Sequence, residues 1–91
     1  MIVRVAKLRV YLYSTVGCHL CDLAKAIIWP LLVEHQFRLV EIEIADDDDL
    51  IARYGVRIPV LGSPLCEREL NWPFSVSDIN SFFTELAALP Q

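Results

Sequence analysis

No run of apolar residues in this chain is long enough to cross a membrane. The longest, Ala26 to Val33, spans eight residues and contains Pro30, against roughly 20 for a helical span. Basic charge is also short: 8 Lys and Arg face 12 Asp and Glu, for a net charge of -4. A surface that repels phosphates argues against a nucleic-acid partner. Internal repeats, low-complexity tracts and linkers are absent, so residues 1–91 read as one domain. The opening Met1 to Lys7 is basic and apolar. It lacks an uninterrupted apolar core followed by a small-residue cleavage site, and is not read as a signal peptide. Cysteine occurs three times, an odd count, whereas a secreted scaffold of this size usually carries an even set. The expectation is a monomer in the reducing cytoplasm, where close cysteine pairs tend to be catalytic or metal-binding.

What is present begins with the apolar content, 55% of the residues, enough for a core. Leu8, Val10 and Leu12 alternate with Arg9, Tyr11 and Tyr13, the period of a strand with one apolar face. Ser14 to Gly17 reads as a loop. From Cys18 to Glu34, Leu20, Leu23, Ala24, Ile27 and Leu31 fall at helical spacing, with a kink or early stop expected at Pro30. Phe37 to Ile44 alternates again. Asp46 to Asp49 suits a helix start and Gly55 a helix stop. Ile58 to Leu61 and Leu65 to Leu70 flank Gly62-Ser63, which predicts a hairpin turn with glycine leading. Ile79, Phe82, Phe83 and Leu86 mark a last helix, with Ser75 and Asp78 as its capping box. The order β-α-β-α-β-β-α predicts an α/β domain. A right-handed parallel crossover followed by an antiparallel hairpin gives a four-stranded mixed sheet with helices on both faces.

The chemistry centres on Cys18-His19-Leu20-Cys21, at the predicted strand-to-helix junction. Amides at a helix start carry partial positive charge and stabilise a thiolate. A lone CxxC is equally half of a zinc site, but tetrahedral zinc needs further ligands. His19 cannot comfortably share a metal with both neighbours, and His35 lies at the far end of the helix. Asp46 to Asp49 lacks the alternate ligand spacing, glycine bend and distal glutamate of a calcium loop. It reads as helix capping and a solvated edge. Cys66, in the strand after the hairpin, reads as a small buried apolar residue. Trp29, Trp72 and Phe74 read as packing residues.

The element order, the CxxC at the first junction and a proline opening the third strand together resemble the thioredoxin fold. Tyr13-Ser14-Thr15-Val16-Gly17-Cys18-His19-Leu20-Cys21 resembles the segment leading into the glutaredoxin dithiol. Tyr54-Gly55-Val56-Arg57-Ile58-Pro59 resembles the approach to the cis-proline of that superfamily. The chain is most similar to a small bacterial family of glutaredoxin-like proteins, which pair Cys-x-Leu-Cys with a Trp-Pro-Phe, here Trp72-Pro73-Phe74. It departs from typical glutaredoxins in three places. Thr15 stands where they carry lysine, His19 where they carry proline, and Asn71-Trp72-Pro73-Phe74 where they carry a Gly-Gly pair that holds glutathione.

The resemblance implies a thiol–disulfide oxidoreductase with no bound cofactor, Cys18 attacking and Cys21 resolving. Its partners would be a disulfide-containing protein or glutathione, with glutathione or a reductase as electron donor. A potential of about -270 to -180 mV is expected, the range that thioredoxin and protein disulfide isomerase bracket. His19 would tune the Cys18 thiolate as a nearby cation or dipole; the alternative is a solvated imidazole. Pro59 would be cis, with Ile58 offering its N–H and C=O to an extended substrate, as in strand addition. Arg57 would meet a glutathione carboxylate or an acidic partner, or else stand solvated on the surface. Thr15 would line the same groove, with Trp72-Pro73-Phe74 as a candidate wall. Two other readings stay open. One is a metal or iron–sulfur carrier bridging two subunits through Cys18 and an external thiol, although clusters usually take four thiolates. The other is a redox-inactive adaptor that binds extended peptides.

Overall fold

Alternation fixes the sides of the central strand. In β1 (Arg9–Ser14), Val10 and Leu12 are fully buried on one face, while Tyr11 and Tyr13 turn to the other. The computed structural model describes residues 8–89; the reading of Met1 to Lys7 lies outside the described residues. From β1 the chain enters α1 (His19–His35) and returns as β2 (Arg38–Glu43), paired in parallel with β1. After α2 (Asp48–Tyr54), β3 (Val60–Ser63) pairs antiparallel with β1, and β4 (Cys66–Asn71) antiparallel with β3. Helix α3 (Val76–Ala88) follows. The sheet order is β2-β1-β3-β4, so the strand that leads to the cysteines is internal.

The larger core lies on one face of this mixed sheet. Val10, Leu12 and Leu61 meet Ala24, Ile28, Leu31 and Leu32 of α1 and Ile79, Phe82, Phe83 and Leu86 of α3. Each of these side chains larger than alanine contributes about 1.5–3 kcal/mol when buried, so this layer dominates stability. A smaller core of Ile44, Tyr54 and Val60, flanked by Tyr13, Leu50 and Ile58, lies on the other face beneath α2. Helices thus cover both faces. The expected capping box holds: Ser75 Oγ accepts from the Asp78 amide (3.0 Å) and Asp78 accepts from the Ser75 amide (2.9 Å). Asp47 caps α2, accepting from the Asp49 and Leu50 amides.

Four local expectations are corrected. Helix α1 does not stop at Pro30 but runs on to His35, because Leu31 and Leu32 stay anchored in the core while Pro30 faces solvent. Its buried face is Cys21, Ala24, Ile28, Leu31 and Leu32, leaving Leu20 and Leu23 each 43% exposed. Trp29 is 64% exposed and does not serve as a core residue. Gly55 closes α2 as expected, with right-handed dihedrals, while Gln36, closing α1, takes the left-handed position at φ 60°. Finally, Gly62 and Ser63 are strand residues, and the turn is Pro64-Leu65. Serine then proline at its first two positions is the signature of another turn class, and Ser63 Oγ accepts from the Leu65 amide (3.1 Å).

Candidate active site

The end of β1 and the start of α1 build the dithiol. Gly17 takes φ 80°, a left-handed bend that other residues adopt only with strain. The Cys18 amide donates to the Thr15 carbonyl (3.3 Å), closing the loop. Cys18 is itself the N-cap of α1, and its Sγ accepts from the Cys21 amide (3.1 Å). Cys18 is half-buried at the surface, whereas Cys21 is 2% exposed and sits under it. The sulfurs are joined as a disulfide, with Cα atoms 5.2 Å apart. His19 is exposed, and no described residue hydrogen-bonds its ring.

Glu43 at the end of β2 pins the loop. It accepts from the Ala45 amide (3.2 Å) and the Val16 amide (3.0 Å). Hydrogen bonds from Ala45, the Thr15 hydroxyl and Val16 hold its carboxyl below the ordinary range. Thr15 is therefore engaged with Glu43. It lines a depression with Val16, Asp22, Lys25, Glu41 and Glu43, on the β2 side.

The second wall comes from the segment before β3. The Ile58–Pro59 bond is cis and Pro59 is buried. The Ile58 amide donates to the Tyr54 carbonyl (3.0 Å), which also accepts from the Arg57 amide (2.8 Å). The expected two-point pairing of Ile58 with a substrate is thus corrected: its N–H is occupied, and only its carbonyl is open among the described residues. Arg57 is also engaged. Its guanidinium donates to Glu69 (2.9 Å), to Asn71 Oδ1 (2.9 and 3.2 Å) and to the Arg53 carbonyl (3.1 Å), and lies 5.2 Å from the Tyr54 ring centre. Burial and the hydrogen bond to Glu69 push the Tyr54 phenol well above its usual range. Burial opposes ionisation of Glu69, but the Tyr54 and Arg57 hydrogen bonds outweigh it and hold the carboxyl low. Tyr13 stacks on Tyr54 with ring centres 3.9 Å apart, at the base of this cluster.

These segments frame a groove of about 480 Å³ lined by Leu20, Val56, Arg57, Ile58, Asn71 and Trp72. Leu20 belongs to the CxxC itself, so the groove runs from the dithiol helix to the cis-proline segment and to Trp72, which forms a wall. Thr15 is not part of it. Trp72–Pro73 is a second cis bond, unanticipated from the sequence. Glu69 and Asn71 were missed as well. Only the strand register, with Val60 opposite Asn71, brings them beside Arg57, and no local motif signals that. A depression of about 540 Å³ lies toward the other end of α1, lined by Trp29, Leu32, Val33, Gln36, Phe37, Arg38 and Leu39. It holds no thiol and no carboxylate, so the chemistry points to the groove beside Cys18. Cys66 is half-buried at the start of β4 and packs against the larger core.

A disulfide capping the first helix of a β-α-β-α-β-β-α domain, with a cis-proline before β3, defines a glutaredoxin-like protein of the thioredoxin fold. The chain belongs to the Glutaredoxin-like domain family (DUF836), whose profile matches residues 9–84. Among solved structures it is similar to protein XcR50 from X. campestris, at 35% identity and TM-score 0.68 over 89% of this chain and 99% of that one. Protein Ne2328 from Nitrosomonas europaea is 26% identical, with TM-score 0.66 over 90% of this chain and 98% of that one. A malarial protein shares the fold at 11% identity, with TM-score 0.63 over 92% of this chain and all of that one. No curated protein matches. Among the described residues, no helix is long and apolar enough to cross a membrane.

Proposed function

We propose that this protein is a thiol–disulfide oxidoreductase that cycles Cys18 and Cys21 between dithiol and disulfide. The observation that carries the reading is the vertical order of the sulfurs. Cys18 stands at the surface on the N-cap of a 17-residue helix, and buried Cys21 is already bonded to it from below. In the reduced protein, the Cys21 amide and the helix dipole favour a thiolate at Cys18. That thiolate attacks one sulfur of a substrate disulfide. A Cys18–substrate bond forms, the substrate S–S bond breaks, and the first substrate thiolate leaves. Cys21 then gives up its proton and attacks Cys18 Sγ. The Cys18–Cys21 bond forms, the mixed disulfide breaks and the second thiolate leaves. Two electrons pass to the substrate, and the two protons lost by the cysteines balance those its thiolates take up. His19, exposed and next to the attacking Cys18 in the chain, favours the charged state of Cys18 when protonated. Electrons return from glutathione or from a reductase, in the reducing compartment implied by the odd cysteine count.

A disulfide-reduction assay with glutathione and with thioredoxin reductase as rival donors tests the reading. Cys18→Ser is expected to abolish turnover, and Cys21→Ser to accumulate a mixed disulfide at Cys18, visible by mass spectrometry. Turnover that survives Cys18→Ser would sink the proposal.

A further inference from the structure

We infer that the groove beside the dithiol takes an extended peptide disulfide with apolar residues around its cysteine, and disfavours acidic disulfides, glutathione disulfide among them. The inference names the substrate class of the site above and rests on the redox reading.

Large apolar side chains stay exposed in the segments that carry and face the dithiol. Val16, two residues before Cys18, is 91% exposed; Leu20, between the cysteines, is 43% exposed; and Val56, in the facing segment, is fully exposed. Four of the six residues lining the groove, Leu20, Val56, Ile58 and Trp72, are apolar or aromatic, and Arg57 and Asn71 supply its polar side. A substrate that covers them removes apolar surface from water. The open Ile58 carbonyl accepts one peptide N–H, which suits an extended chain.

Charge points the same way. Arg57 is the one cation among the residues lining the groove. Glu69 neutralises it at 2.9 Å, and four of its donor contacts go to Glu69, Asn71 and the Arg53 carbonyl. On the other flank, Asp22, Glu41 and Glu43 face a single Lys25. Its ammonium is shared between Asp22 (3.4 Å) and Glu41 (3.3 Å). Apart from His19 when it is protonated, a carboxylate brought to Cys18 therefore meets no uncommitted cation among the residues lining either side, and an excess of like charge on one. Glutathione disulfide, a net anion, fits this setting poorly.

The test mixes the reduced protein with three disulfides: a symmetric peptide disulfide with Val and Leu beside cysteine, the same peptide with Glu in those places, and oxidised glutathione. Second-order rates of dithiol loss are read by thiol titration. The apolar peptide is expected to react about tenfold faster or more than either acidic disulfide, and added salt should narrow its lead over the Glu peptide. Glu69→Gln, which releases the Arg57 charge, should narrow the same lead about threefold or more. Equal rates, a faster glutathione reaction, or a lead insensitive to both salt and Glu69→Gln overturns the substrate class and leaves the redox reading standing. Failure of all three disulfides to oxidise the dithiol overturns both.

Discussion

Gly55 closes α2 with dihedrals of φ -52° and ψ -40°, ordinary for any residue in a helix. At such a backbone, replacing glycine by alanine usually stabilises by about 0.4–1 kcal/mol through the unfolded chain. Here a Cβ would stand 2.5 Å from the Ile51 carbonyl oxygen, backbone that cannot swing aside. Gly55→Ala is expected to lose on the order of 1–3 kcal/mol in urea unfolding; a gain would show that the end of α2 moves easily. Arg57 makes the parallel point about function. As a sequence feature it is a free cation beside the dithiol, but in the fold it is held by Glu69 and Asn71. Its charge serves to fasten the segment before β3.

Among the elements, α1 carries an avoidable cost. Pro30 deprives the helix of one backbone donor in its interior and faces solvent. Pro30→Ala is expected to raise stability by on the order of 1–3 kcal/mol, read as a higher Tm by circular dichroism. A lower Tm would mean that the proline shapes α1 in a way the core needs. Elements set by local periodicity were legible in the sequence. The alternation of Val10 and Leu12 marked β1, the Phe82-Phe83 spacing marked α3, and Ser75 with Asp78 marked its start. So were the two cysteines, because the junction that positions them is local. Features set by partners distant in sequence were not legible. The buried stripe of α1 depends on how the helix rolls against α3 and the sheet. The hairpin turn was misplaced because Gly62-Ser63 and Ser63-Pro64-Leu65 are competing local signals, which cross-strand pairing resolves. The Tyr54–Glu69–Arg57 cluster exists only once β4 is in register.

At the scale of the molecule, that cluster ties α2, the segment before β3 and β4 together, and it makes stability depend on pH. The folded-state pKa of Glu69 lies below its ordinary 4.5. Its contribution is therefore full above about pH 4.5 and is lost as pH falls through the lowered value. The Tyr54 phenol is raised above its ordinary 10.0, so its contribution is full below about pH 10 and is lost as pH rises through the raised value. Denaturation midpoints across pH should show a plateau between these limits. Glu69→Gln should lower that plateau by about 1 kcal/mol, a figure discounted for partial exposure, and flatten the acid limb. A variant whose acid limb matches wild type would assign acid sensitivity to other carboxylates.

The antiparallel course of β3 has a practical corollary. Val60 lies opposite Tyr13, at the end of β1 that leads to the cysteines, and Ser63 Oγ donates to the Arg9 carbonyl at the strand's opposite tip. Exposed Pro64 and Leu65 thus crown the pole remote from Cys18. A reporter domain spliced between them would project away from the thiols and leave the approach of a bulky client unobstructed.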